Sequence, residues 1–205
     1  MNAQEFLDYV TKDCAFGGIS FRPVNAPRAP YGVGSLSLVS GYFDGEEKEL
    51  VVAVGRPESE WLSILVHEYG HFRQYMEERE RFFPDDDASD IIDEWIEGKR
   101  ELTQKELDDA MFLVVDCEYD CERRALDMIK KFKLPIDPVH YAKSANYYIY
   151  SHHIMKLTKT WSTNKLSKEI LDLLPDQLIA LEDRENIQEP LLSLLIQHIT
   201  APENF

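Results

Sequence analysis

Apolar residues at Phe6, Leu7 and Val10 share one side of a helical wheel and predict a short amphipathic helix over 1–13. The pattern then breaks. Gly17, Gly18, Pro23, Pro27, Pro30, Gly32 and Gly34 predict extended chain and turns, with one short strand at 19–22. Residues 35–43 and 49–54 are β-prone runs, and the Asp44-Gly45 between them is a hairpin signal. Helical spacing dominates from there. Ser59 is placed to cap a helix running to about Arg81, with Pro84 marking its end. A short helix over 90–97 is stopped by Gly98. Thr103 and Glu106 form a capping-box pattern at the start of a long helix to about Lys131. Lys130, Lys131 and Lys133 suit the negative end of that helix. Pro135 and Pro138 interrupt the chain, and helices are expected at about 139–160, 167–174 and 190–200.

These elements predict an α+β fold, predominantly α, in a single domain over 1–205. Its N-terminal part, about 1–57, contains the β structure, and about 58–205 is helical. No internal repeat or low-complexity tract interrupts it.

The net charge of −16 changes the picture more than the ordinary composition does. So acidic a chain is unsuited to neutralising phosphates, which argues against nucleic acid and against an anionic membrane surface as partners. No segment approaches the ~20 apolar residues of a membrane span, and the N-terminus lacks the pattern of a secretory signal. Three cysteines, Cys14, Cys117 and Cys121, without framework spacing fit a reducing compartment.

The first predicted long helix contains His67-Glu68-Tyr69-Gly70-His71. Positions i and i+4 lie one turn apart on one face, so His67 and His71 can bind one tetrahedral zinc ion together. Glu68 points about 100° away around the axis and can reach a metal-activated water as general base without itself being a ligand. Trp61, Ile64, Leu65, Phe72 and Tyr75 form an apolar stripe beside the pair. Gly70 costs about 1 kcal/mol inside a helix, which a close approach by a strand or a second helix would justify.

A catalytic zinc ion needs a third protein ligand. The long second helix supplies candidates. Its apolar stripe runs through Val114 or Val115, Glu118, Cys121 or Glu122, Ala125 and Ile129, with Asp116, Asp120, Arg123, Asp127 and Lys130 mostly elsewhere. Glu118 and Glu122 thus interrupt an apolar face one turn apart. Carboxylates are rarely buried without a partner, and a metal or a metal-bound histidine would be one. An ion pair to Arg22, Arg28, Arg73 or Arg123 is the structural alternative. Cys117 and Cys121, also one turn apart, fit packed reduced cysteines better than a second thiolate site. Tyr147, Tyr148, Tyr150, His152 and His153 cluster downstream. Tyr150 or His152 could donate to the oxyanion of a tetrahedral intermediate, although core packing is the commoner role of such residues. The acidic stretch after Met76 and the triple Asp85–Asp87 read as solvated surface.

On these residues the chain resembles the zinc metallopeptidases of the zincin group, in the gluzincin branch. There a glutamate on a later helix completes the site, and in thermolysin-like members an aspartate four residues on hydrogen-bonds a ligand histidine. The resemblance implies Glu118 as third ligand and Glu122 in the aspartate's place, with Glu122 as the alternative ligand. The absence of Gly-x-x-His after His71 departs from the metzincin pattern. The segments 65–74, 118–125 and 145–150 also resemble small metallopeptidases of tailed bacteriophages, a likeness over about 60–162.

The resemblance implies a zincin-like fold, with a small antiparallel sheet over 35–54 packed on the active-site helix. It also implies Zn²⁺ as cofactor, a peptide or protein substrate, and a location in the cytoplasm (the host's, if phage-encoded) or the virion. The expected activity is zinc-dependent peptide-bond hydrolysis. A catalytically silent, metal-stabilised binding module and a hydrolase of cell-wall peptides or another amide are the competing expectations.

Overall fold

Asn2 starts the first helix through a reciprocal cap. Its Oδ1 accepts from the Glu5 amide at 2.9 Å, and its own amide donates to Glu5 Oε2 at 2.8 Å. In the computed structural model, which describes residues 1–32, 37–77, 88–161 and 166–201, this helix, α1, spans Ala3–Phe16. The fold is α+β and predominantly helical, and the chain divides into two compact units. One comprises Met1–Phe82 with Cys121–Pro138, the other Phe83–Asp120 with Val139–Phe205.

In the first unit, α1 buries Ala3, Phe6, Val10 and Cys14 at helical spacing. Complete burial of Phe6 and Val10 is worth roughly 1.5–3 kcal/mol each. The chain then forms β1 (Ser20–Val24), β2 (Ala29–Pro30), β3 (Leu38–Val39), β4 (Gly41–Asp44) and β5 (Glu49–Ala53). The sheet order is β1-β5-β4, with β1 parallel and β4 antiparallel to β5. The central strand is buried throughout Leu50–Ala53. The sheet is therefore mixed, whereas an antiparallel one over 35–54 was expected. Its third strand comes from the proline-rich region, and Pro23 is tolerated because β1 is an edge strand. Of the 35–43 run, 35 and 36 lie outside the described residues, and the rest splits between β4 and a two-residue ladder of β3 with β2.

The expected hairpin forms between β4 and β5. Asp44 Oδ1 accepts from the amides of Glu46 and Glu47 at 2.9 and 2.8 Å. The left-handed backbone of the turn falls on Lys48, with φ 56°. Helix α2 (Glu58–Glu77) packs on β4 and β5. It starts at Pro57, whose carbonyl accepts from Glu60 and Trp61, so Ser59 lies inside the helix and is not its cap. Its expected end at Arg81, Pro84 and the triple Asp85–Asp87 lie outside the described residues. Tyr69 packs edge-on against Phe6 and Tyr9, and Phe132 joins them.

In the second unit, α3 (Ala88–Ile96) ends before Gly98, whose φ of 74° suits glycine. Helix α4 (Gln104–Phe132) begins with the predicted capping box. The Thr103 amide donates to Glu106 Oε2 at 2.8 Å, and the Glu106 amide to Thr103 Oγ1 at 3.3 Å. Helices α5 (Pro138–Thr158), α6 (Lys168–Leu173) and α7 (Leu191–Thr200) follow. One apolar cluster gathers Ala88, Ile92, Leu107, Met111 and Met155, and a second gathers Tyr150, Ile154, Ile170, Leu191, Leu195 and Ile199. Helix α5 is buried nearly all round, so its polar residues must find partners inside. Asn146 does so, donating to Pro175 O and Gln177 O and accepting from the Ile179 amide. No helix among the described residues is long and apolar enough to cross a membrane.

Candidate metal centre

Within α2 the i, i+4 spacing brings the rings of His67 and His71 to 4.8 Å between centroids, at 89° to each other. Two glycines let neighbouring elements approach this turn. A Cβ on Gly41 of β4 would lie 2.7 Å from Ile64 Cγ2 and 3.2 Å from Glu68 Cγ, so β4 rests against the Glu68 side chain. A Cβ on Gly70 would lie 2.8 Å from Cys121 Sγ. The close approach that justifies a glycine at position 70 is that of α4.

Three residues of α4 meet α2 there. Cys121 donates its thiol to the His67 carbonyl at 3.1 Å and stands 3.7 Å from His67 Nδ1. Glu122 places Oε1 3.2 Å from the same Nδ1. Arg124 pairs with Glu77 at 2.5 Å, and Glu77 also binds Arg73, which reaches Asp13 of α1. Arg124 first, then Arg73, hold the Glu77 carboxyl below its usual range. That ionic chain links α1, α2 and α4.

Burial disfavours the charged form of His67, but the Cys121 sulfur and the Glu122 carboxylate outweigh it, and the imidazole titrates well above its ordinary range. Glu122 is buried, and its second oxygen, Oε2, has no hydrogen-bond partner. The anticipated arginine partner is not what Glu122 meets. Arg22 pairs with Glu49, Arg73 with Asp13 and Glu77, and Arg123 with Asp127. At His71, Nδ1 lies 2.9 Å from Oε1 of the buried Gln74, one turn on along α2.

One ligand atom from each of His67, His71 and Cys121 lies within 4.8 Å of the others, so this group could hold a metal ion. A tetrahedral zinc ion holds nitrogen and sulfur donors about 3.3–3.5 Å apart, so the group needs only a modest contraction. Two imidazoles with a thiolate or carboxylate are a donor set that zinc accepts. Sequence reasoning set Cys121 aside as a packed thiol. Its place on the buried stripe beside the carboxylates was the available signal. Gln74 was also missed, and its signal was the three-residue spacing from His71.

No protein-family model, no curated protein and no solved structure matches this chain.

The remaining candidates belong to the second unit. Glu118 is partly buried and, with His152, lines a cavity of about 380 Å³. His152 Nδ1 donates to the Tyr148 carbonyl at 2.9 Å, and its ring packs against those of Tyr148 and Trp161. Burial lowers the pKa of His152, with Glu118 acting the other way. Tyr150 is a core residue of the cluster around Ile154 and Leu195. Asp120, expected mostly off the buried stripe, is buried.

Proposed function

We propose that this protein is a zinc-dependent metallopeptidase, with His67 and His71 as metal ligands and Glu68 as general base. The observation that carries the reading is the pairing of each Nδ1 with an oxygen acceptor: Glu122 Oε1 for His67 and Gln74 Oε1 for His71. Metal-binding histidines characteristically hand their second nitrogen to such an acceptor, which sets the tautomer and directs Nε2 to the metal. Glu122 thereby acts as a positioning residue.

Zinc, when bound, supplies Lewis acidity and a water acidic enough to react near neutral pH. Glu68 provides the proton traffic: its carboxylate accepts a proton from the attacking water and returns it to the leaving amine nitrogen. The third ligand is assigned to Glu118, on its spacing of one turn before Glu122 and on the resemblance to gluzincins. Cys121 is the second reading, supported by the grouping of one ligand atom from each of His67, His71 and Cys121 within 4.8 Å.

Metal analysis of purified protein tests the site. About one zinc per chain is expected for the wild type, with loss in the His67→Ala, His71→Ala and Glu118→Ala variants. Retention of metal in Glu118→Ala with loss in Cys121→Ser transfers the third ligand to Cys121. Glu68→Gln should keep metal and melting temperature while abolishing hydrolysis of a casein or mixed-peptide substrate. A wild type that binds no zinc, or hydrolysis undiminished in Glu68→Gln, refutes the proposal.

A further inference from the structure

Another cavity of the second unit, of about 240 Å³, is lined by residues of α4, α5 and the turn at 184–185. Met111, Phe112, Val115 and Ile149 give it an apolar floor. Lys156 and Arg184 balance Asp108 and Glu185 in its lining, so its formal charge is zero. His153 also lines it, and the Nδ1 of that ring has no hydrogen-bond partner among the described residues.

The two cations are held differently. Lys156 Nζ lies between Asp108 Oδ1 at 2.8 Å and Glu185 Oε1 at 3.1 Å. Arg184 pairs with no carboxylate among the described residues. Its Nη1 donates to the Leu181 carbonyl at 3.0 Å, and its guanidinium lies over the Phe112 ring, 5.2 Å from the centroid. Most of its five N–H donors therefore have no protein acceptor. The carboxylates each keep an unused oxygen. Gln104 and Lys156 both bind Asp108 at Oδ1, and Lys156 binds Glu185 at Oε1, which leaves Oδ2 and Oε2.

A neutral lining with a forked donor, spare carboxylate oxygens and an apolar floor complements a zwitterion with an apolar tail. Guanidinium takes a carboxylate in a bidentate pair, carboxylate oxygens accept from an ammonium, and the floor covers an aliphatic side chain. A ligand of one charge alone would leave either the acidic or the basic pair unanswered. The Asp108 and Glu185 side chains are half exposed, so the ammonium contact is screened and is the weaker of the two. The volume lies below that of a pocket for a drug-sized molecule, which suits a ligand of single-residue size.

We propose that this cavity binds a free α-amino acid with an aliphatic side chain, of about leucine's size. The proposal is independent of the peptidase reading, since it requires neither metal nor hydrolysis.

Titration calorimetry of the full chain with L-leucine tests it, in the presence of a chelator so that no metal contributes. Leucine amide lacks the carboxylate, N-acetyl-leucine the ammonium and glycine the side chain. Leucine is expected to bind saturably below about 10 mM. Leucine amide should bind at least about tenfold more weakly, through loss of the bidentate pair, and N-acetyl-leucine at least about threefold, through loss of the screened contact. Glycine should lose at least about tenfold with its apolar contact. Arg184→Gln should weaken leucine binding at least about tenfold and leave the weak binding of leucine amide unchanged, with melting temperature reporting that the variant folds. If it does not fold, the four ligands on the wild type still decide. No saturation by about 10 mM, any analogue within about twofold of leucine, or wild-type affinity in a folded Arg184→Gln would each overturn the proposal. Hydrolysis that fails while leucine still binds refutes the peptidase reading alone.

Discussion

Glu122 Oε1 lies 3.2 Å from His67 Nδ1, and both side chains are largely withdrawn from solvent. In the proposed metal site, a carboxylate held there would fix the histidine's tautomer and ring orientation and raise its basicity as a ligand. The Glu122→Ala variant should bind zinc about 10–100-fold more weakly than wild type, with Glu122→Gln retaining part of the affinity. Competition with a chromophoric chelator measures this. Unchanged affinity in Glu122→Ala would remove the positioning role.

Gly70 and Cys121 should be energetically coupled. A methyl group at Gly70 meets Cys121 Sγ at 2.8 Å and the Cys121 carbonyl at 3.2 Å. Overpacking of roughly 1–3 kcal/mol then exceeds the ~1 kcal/mol that alanine gains in helix propensity. Adding Cys121→Ala removes the worse of the two clashes, so the double variant should be more stable than the sum of the singles by about 1 kcal/mol. Urea denaturation of the four proteins tests the cycle, and additive single effects would contradict it.

Asn146 carries the tie between α5 and residues 175–179. It is fully buried and makes three hydrogen bonds to backbone groups, at 2.8–3.1 Å. Asn146→Ala leaves those groups unpaired and should cost about 2–4 kcal/mol. Hydrogen exchange at the Ile179 amide should accelerate more than at the β5 amides. Equal acceleration would mean the residue stabilises no particular segment.

His153 should contribute to acid destabilisation. Its Nδ1 is buried without a hydrogen-bond partner. Burial lowers its pKa from 6.5, and Lys156 and Arg184 act in the same direction against Glu185. As pH falls through 6.5 the unfolded chain takes up the proton before the folded one, so this residue's contribution to stability declines below that pH. His153→Leu should flatten the fall in melting temperature between about pH 7 and 5, and should cost little at neutral pH. A variant with the wild-type pH slope would exclude His153 as a source.

Helix positions followed from local signals. Asn2–Glu5 and Thr103–Glu106 are reciprocal caps within a few residues, and the apolar spacing of α1 needs only one face to be covered. Sheet topology did not follow, because β1 pairs with β5 across more than twenty intervening residues. Local patterning cannot rank such a pairing against the adjacent hairpin. The buried stripe of α4 was legible, but not which of its side chains faces a given histidine. Cys121 and Glu122 are neighbours that point about 100° apart, and both reach His67 only because α4 passes close over Gly70.

By itself the chain's order of residues determined the helical framework, the acidic surface and the pairing of His67 with His71, since each depends on spacing within a turn or on composition alone. Tertiary structure decided that Glu122 holds the outer nitrogen of His67, that Cys121 sits against the same ring, and that aromatic rings and carboxylates share a cavity around His152. Those arrangements depend on how separate helices approach one another. The approach is set by the summed packing of many side chains, with glycine at the narrowest contact, and no local pattern encodes that sum.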